Sequence, residues 1–375
     1  MTEPRRRTTL ETALLQGTVA VDYGLRTGLA AAIGVAASTT TVGAIRRRDA
    51  RRLARFADKE GSPAAEIFAE PVPAGVRVRQ GHGLDDRGGR VELLDFDTPY
   101  TAFNPHLREE YAGHVNNAVA RAQHWRHAEG PRPTLVVVHG FGASPAWFNV
   151  SFFDLHRVFR DGWDVLLYKL PFHGARRGDF AAINGIELFA HGMANFTEAM
   201  LHAVYDLRVF LRRLEEQQSP RIGLTGLSLG GYVTALTAAL EPRLDFVVPN
   251  SAVVDLPRVL RGWFPARQVI GALRHLGGIS HETFRDAINI TSPLSYPPVV
   301  PRERRLIVAG TGDRLAPPEQ SLLLYEHWGE PRIEWFPGSH VLHLGRAAYR
   351  EAVRGLLVRA PGVAAAPDAD HVPNL

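Results

Sequence analysis

No cysteine occurs in the 375 residues. Disulfides, thiolate nucleophiles, zinc ribbons and iron–sulfur clusters are therefore excluded, and any nucleophile must be another residue type. Lysine is nearly missing too: Lys59 and Lys169 are the only two, so the 43 basic residues are almost all arginine. Set against 39 acidic residues they leave a net charge of +4, too dilute on so long a chain to imply a nucleic-acid partner. Long hydrophobic runs are also scarce. The best candidate, Leu29 to Ile45, lies between Arg26 and Arg46 and is built of alanine, glycine, threonine and valine rather than leucine and phenylalanine. It sits at the short limit for crossing a bilayer. The first reading is a soluble N-terminal element in a cytoplasmic protein; membrane association through this segment is the alternative. What is present is an ordinary globular composition, 45% hydrophobic, 22% charged and 9% aromatic, with ample material for a core.

Residues 1–90 carry the clustered charge, Arg5 to Arg7 and Arg46 to Arg52, and end in glycine-rich turns around Gly81 and Gly88. They read as an N-terminal extension outside the catalytic core. From Val91 onward short apolar runs alternate with longer amphipathic segments, the order expected of a mostly parallel sheet with helices on both faces. Thr134 to Val138, Trp163 to Leu170, Arg221 to Leu224, Leu244 to Val248 and Arg305 to Val308 are continuously apolar enough for buried parallel strands. Met200, Val204, Leu207, Leu211 and Leu214 fall on one face of a helix, with Asn195 and Glu198 as its capping pair. Residues 257–298 mix arginines with Trp263, Phe264 and Phe284, and read as a helical cap insertion with a solvated arginine face. Residues 360–375 read as a disordered tail.

The chemistry concentrates where strands end. Gly226-Leu227-Ser228-Leu229-Gly230 lies between an apolar strand and a helix-like stretch. A serine on such a tight turn needs small neighbours two positions before and after, and glycine fills both. With twelve serines and 35 glycines in the chain, roughly 0.1 such matches arise by chance, so the surrounding context has to carry the assignment. Upstream, Thr134 to Val138 runs into His139-Gly140-Phe141-Gly142. The backbone amide of Phe141, with that of Leu229 at the helix start, can face a developing oxyanion. Downstream, a strand ends in Gly310-Thr311-Gly312-Asp313, and another in Pro337-Gly338-Ser339-His340. His340 then suits a general base and Asp313 the carboxylate that orients it.

This Ser–Asp–His order, with the Ser-x-Gly-Gly, His-Gly-x-Gly and Gly-x-Gly-Asp segments, resembles the serine hydrolases of the α/β-hydrolase superfamily over about Val91 to Arg359. The resemblance implies an eight-stranded, mostly parallel sheet, an elbow nucleophile, a two-amide oxyanion hole and an acyl-enzyme, with no cofactor or metal required. It defines a hydrolase domain over residues 91–359. Some relatives place the acid one strand earlier, which makes Asp255 the alternative to Asp313, and His343 stands three residues beyond His340. His139 reads as a brace for the oxyanion loop and His173 as a solvated loop residue. The function expected is hydrolysis of an ester, thioester or amide of a small molecule or lipid, in the manner of a carboxylesterase or lipase. A non-catalytic binding protein on the same fold and a membrane-anchored lipid hydrolase are the alternatives.

Overall fold

In the computed structural model, which describes residues 9–38, 44–82, 88–179, 183–264 and 266–358, nine strands form one sheet. They are β1 (Arg77–Gln80), β2 (Gly89–Asp97), β3 (Val119–His127), β4 (Thr134–Val138), β5 (Asp164–Lys169), β6 (Ile222–Leu227), β7 (Phe246–Asn250), β8 (Leu306–Gly310) and β9 (Arg332–Phe336). The spatial order is β1-β2-β3-β5-β4-β6-β7-β8-β9. From β5 to β9 every pairing is parallel, whereas β1, β2 and β3 pair antiparallel with one another and β3 with β5. The sheet is thus one strand larger than expected, and β1 comes from the segment read as an extension. The sequence boundary at residue 90 cuts through β2, because a short exposed edge strand beside glycine turns carries no apolar signature.

Strand β4 shows why the sheet is covered on both faces. Its five residues are all buried. Leu135 and Val137 pack into one core with Phe159, Trp163 and Phe246, while Val136 and Val138 pack into the other with Tyr168, Met200 and Leu224. Side chains alternate across a strand, so a continuous apolar run is what two buried faces demand. Each such Val or Leu contributes about 1.5–3 kcal/mol.

The helix Met193–Glu216 covers one face, and it is buried almost all round rather than on one stripe. Its start differs from the expected capping pair. Gly192, at φ 90°, occupies the cap position with no side-chain cap. Glu198 instead accepts the backbone amides of Phe103 (2.7 Å) and Asn104 (3.0 Å), and Asn195 donates to the Glu187 carbonyl at 3.3 Å. Two turns on, Asp206 holds the fully buried Arg176 at 2.7 Å. Arg176 also donates to the carbonyls of Lys169 (3.1 Å) and Asn117 (3.0 Å), so the loop after β5 is pinned to this helix.

Helices Leu256–Gly262, Ala266–Gly277 and His281–Asn289 fill the interval between β7 and β8, where the cap insertion was expected. Arg258, Arg261, Arg267 and Arg285 are exposed there. At the N-terminus, α1 (Thr9–Ser38) and α2 (Ala44–Ala57) pack on the rest of the molecule, α1 against the Ala266–Gly277 and Glu187–Ala190 helices and α2 chiefly against His281–Asn289. Among the described residues no helix is long and apolar enough to cross a membrane. The stretch Leu29 to Ile45 is divided between α1 and α2, with residues 39–43 outside the described part. The expected tail, 360–375, also lies outside it.

Candidate active site

Ser228 stands between β6 and the helix Leu229–Thr237 with φ 56° and ψ −111°. A non-glycine residue in that region is strained, and the flanking geometry shows what holds it. A Cβ at Gly226 would collide with the Gly230 carbonyl, and one at Gly230 with the Val138 carbonyl of β4. The Ser228 amide donates to the Asn250 carbonyl at 2.9 Å, fastening the turn to β7. The side chain is left half-exposed at the C-terminal edge of the sheet.

Asp313 and His340 reach the same edge from the ends of β8 and β9. The Nδ1–H of His340 donates to Asp313 Oδ2 at 2.7 Å. The second Asp313 oxygen accepts the amides of Leu315 (2.9 Å) and Ala316 (2.7 Å), so the carboxylate cannot rotate away. Burial works against the His340 imidazolium, but the charge and hydrogen bond of Asp313 and the charge of Asp22 outweigh it and lift the pKa above the usual histidine value. The two alternatives are occupied elsewhere. Asp255 is the N-cap of the Leu256–Gly262 helix, accepting the Arg258 amide at 2.9 Å. His343 is stacked on Phe336, bonded to the Tyr349 hydroxyl at 3.1 Å and pushed down to a pKa of about 3 by burial.

The loop after β4 is braced from behind by two neutral imidazoles. His139 donates from Nδ1 to the Gly140 carbonyl at 2.8 Å and accepts the Leu170 amide at Nε2, 3.2 Å away. His173 donates from Nδ1 to the Pro171 carbonyl at 2.9 Å and accepts the Gly142 amide at Nε2, 3.3 Å away. Burial pushes His173 down to a pKa of about 4. It is wholly buried, not solvated as its loop position suggested, because the Arg176 anchor folds that loop under the sheet edge. Asn184 adds a third tie, donating to the Gly142 carbonyl at 3.1 Å and the Ser144 hydroxyl at 2.7 Å. Among the described residues no acceptor engages the amides of Phe141 or Leu229.

Sequence reasoning missed one participant entirely. Asp22, on α1, is buried and its Oδ2 accepts the amides of His340 (2.8 Å) and Arg314 (3.0 Å). Its Oδ1 has no partner among the described residues. Burial raises the Asp22 pKa, partly opposed by those two amides. The segment read as an extension outside the catalytic core therefore reaches the candidate site through Asp22. The signal was available: Asp22 is the sole acid between Glu11 and Asp49, set in a run of small and apolar residues.

A cavity of about 480 Å³ opens onto Ser228 and His340, walled by α1, the loop after β4 and the Leu256–Gly262 helix. A smaller polar cleft is lined by Asp255, Arg261 and Arg285 and includes none of Ser228, Asp313 and His340.

Curated relatives in two strains of Mycobacterium tuberculosis, both carried as uncharacterised proteins, are 33% identical over 73% of this chain. The match spans 65% of their own length. Among solved structures, acetyl xylan esterase 1 from Thermoanaerobacterium superposes with a TM-score of 0.56 at 18% identity, over 84% of this chain and 95% of that one. An acetyl xylan esterase from Paenibacillus gives 0.56 at 14% identity, over 82% and 94%. At such identities the likeness is one of fold. The model of the alpha/beta hydrolase family matches residues 135–375, which include the turn of Ser228, the turn of Asp313 and the loop of His340; the chain belongs to that family.

Proposed function

We propose that this protein is a serine hydrolase of carboxylic esters that acts through an acyl-enzyme on Ser228. Ser228 Oγ attacks the ester carbonyl carbon as its proton passes to Nε2 of His340, and the carbonyl π-electrons move onto oxygen. That oxyanion faces the amides of Phe141 and Leu229. The carbon–oxygen bond to the alcohol then breaks, and His340 returns the proton to the departing oxygen. Water repeats the sequence on the acyl-enzyme, releasing the acid and restoring Ser228. Asp313 keeps the proton on Nδ1, so that Nε2 is free to accept, and stabilises the imidazolium once it forms.

The observation that supports this reading best is the 2.7 Å bond from His340 Nδ1 to Asp313 Oδ2 beside a cavity shared by His340 and Ser228. It rests on geometry rather than on the names of similar structures. The experiment is covalent labelling with a fluorophosphonate. Wild-type protein is expected to be phosphonylated on Ser228, and Ser228→Ala to lose labelling and to lower ester turnover by on the order of 10⁴ or more. Labelling that persists in Ser228→Ala would remove Ser228 from the mechanism.

A further inference from the structure

The cavity over Ser228 is unusual in what its walls omit. Among the described residues no charged side chain of either sign lines it apart from the titratable His340, and the other polar side chains are those of Ser228, Tyr232 and Trp263. The Tyr232 hydroxyl is already committed, donating to Thr291 Oγ1 at 2.9 Å. Phe141, Phe148, Phe189, Leu256 and Leu260 are among its apolar walls. A sugar or an ionic group placed there would lose its water and gain few partners, whereas a hydrocarbon would lose nothing. An acetyl group would leave most of the volume unfilled.

One wall is helix α1, which contributes Gly24, Leu25, Gly28 and Leu29. Gly24 and Gly28 are one helical turn apart and so share a face. Open space stands where a Cβ would be added at either position. Leu25 and Ile183, both of which line the cavity, are each 45% exposed, apolar surface that a bound chain would cover. The wall is held at a set distance from the serine, because Asp22, half a turn before Gly24, is bonded to the amides of His340 and Arg314.

We propose that the cleft between α1 and Ser228 is the binding site for a linear apolar acyl chain, and that Gly24 and Gly28 set the length it accepts. This rests on the acyl-enzyme reading above and gives it a substrate class. The chain enters between Leu25 and Ile183, runs past the two glycines and presents its carbonyl carbon to Ser228.

The experiment compares p-nitrophenyl acetate, butyrate, octanoate and dodecanoate as substrates of four proteins: wild type, Gly24→Leu, Gly28→Leu and Gly17→Leu. Gly17 is on the same helix, also with open space at its Cβ, but is not among the cavity's lining residues. All three changes replace a helical glycine by a better helix former, so folding is expected to be preserved and is checked by thermal melting. For wild type, kcat/KM should rise with chain length by up to about fourfold per methylene until the cleft is full. In Gly28→Leu or Gly24→Leu the ratio of octanoate to acetate should fall at least about tenfold, while Gly17→Leu keeps the wild-type ratio. A wild type that prefers acetate, or an unchanged ratio in both cavity variants, overturns the proposal. Calorimetric binding of dodecanoate to Ser228→Ala separates the two levels. Binding that the added change Gly28→Leu weakens, with no ester hydrolysed by wild type, would leave the acyl site standing and remove the hydrolase reading. Hydrolysis whose length profile ignores the glycines would do the reverse.

Discussion

Asp22 Oδ2 accepts the backbone amide of His340 at 2.8 Å, across 318 residues of chain. The same oxygen takes the Arg314 amide, next to Asp313. One carboxylate on α1 therefore fastens the loop of the candidate base and the turn of the candidate acid together. It touches neither through their side chains, so its role is positional.

Asp22→Asn tests that role. The change keeps the size of the side chain and an amide-accepting oxygen but removes a negative charge that helps raise the His340 pKa. The ionisable groups around His340 are Asp313, Asp22 and His343, the last buried and neutral. A general base works in its neutral form, so kcat/KM should fall as pH drops through the His340 pKa, which lies above the usual histidine value of roughly 6.5. Without the Asp22 charge that acid limb should move to lower pH, and the plateau should drop roughly 10- to 100-fold from lost registration. An unmoved limb in a pH–rate profile would show that Asp22 serves the fold alone.

For the two carboxylates, Asp313→Asn is expected to cut turnover by about 10⁴, because an amide favours the wrong imidazole tautomer. Asp255→Asn should cost less than about tenfold, since asparagine is itself a good N-cap. Asp255→Ala should instead lower stability by about 1 kcal/mol, read from chemical denaturation, through loss of the bond to the Arg258 amide.

The brace behind the oxyanion loop makes a separate prediction. His173→Leu removes the acceptor for the Gly142 amide and leaves that N–H unpaired at a half-buried position. A stability loss of about 1–3 kcal/mol is expected by denaturant titration. The kcat of ester hydrolysis should fall more than KM changes, because a displaced amide at Phe141 weakens transition-state binding.

Much of this was legible in the sequence and some was not. Strand β4 lies at the residues expected, and β8 within two residues of them, because continuous apolar runs and terminal glycine turns are local signals. Residue order and the glycine turns that precede them point to Asp313 and His340, with Asp255 and His343 left as alternatives. Asp22 and His173 escaped for the same reason: each acquires its role from a partner distant in sequence, Asp22 from Arg314 and His340, His173 from Gly142. Glu198 was read as half of a cap, yet it serves the loop of Phe103 and Asn104. Propensity describes a residue's neighbours along the chain, and these contacts lie outside that range.

The docking of α1 also has a consequence for how the molecule is made. Asp22 is synthesised some three hundred residues before the amides it accepts. At roughly 5–20 residues per second that interval is on the order of tens of seconds, during which α1 lacks its final resting place. Contacts so far apart are slow to close. The cleft over Ser228 therefore gains its α1 wall only after residue 340 has been made, and a polypeptide interrupted before residue 313 has neither the candidate acid nor the candidate base.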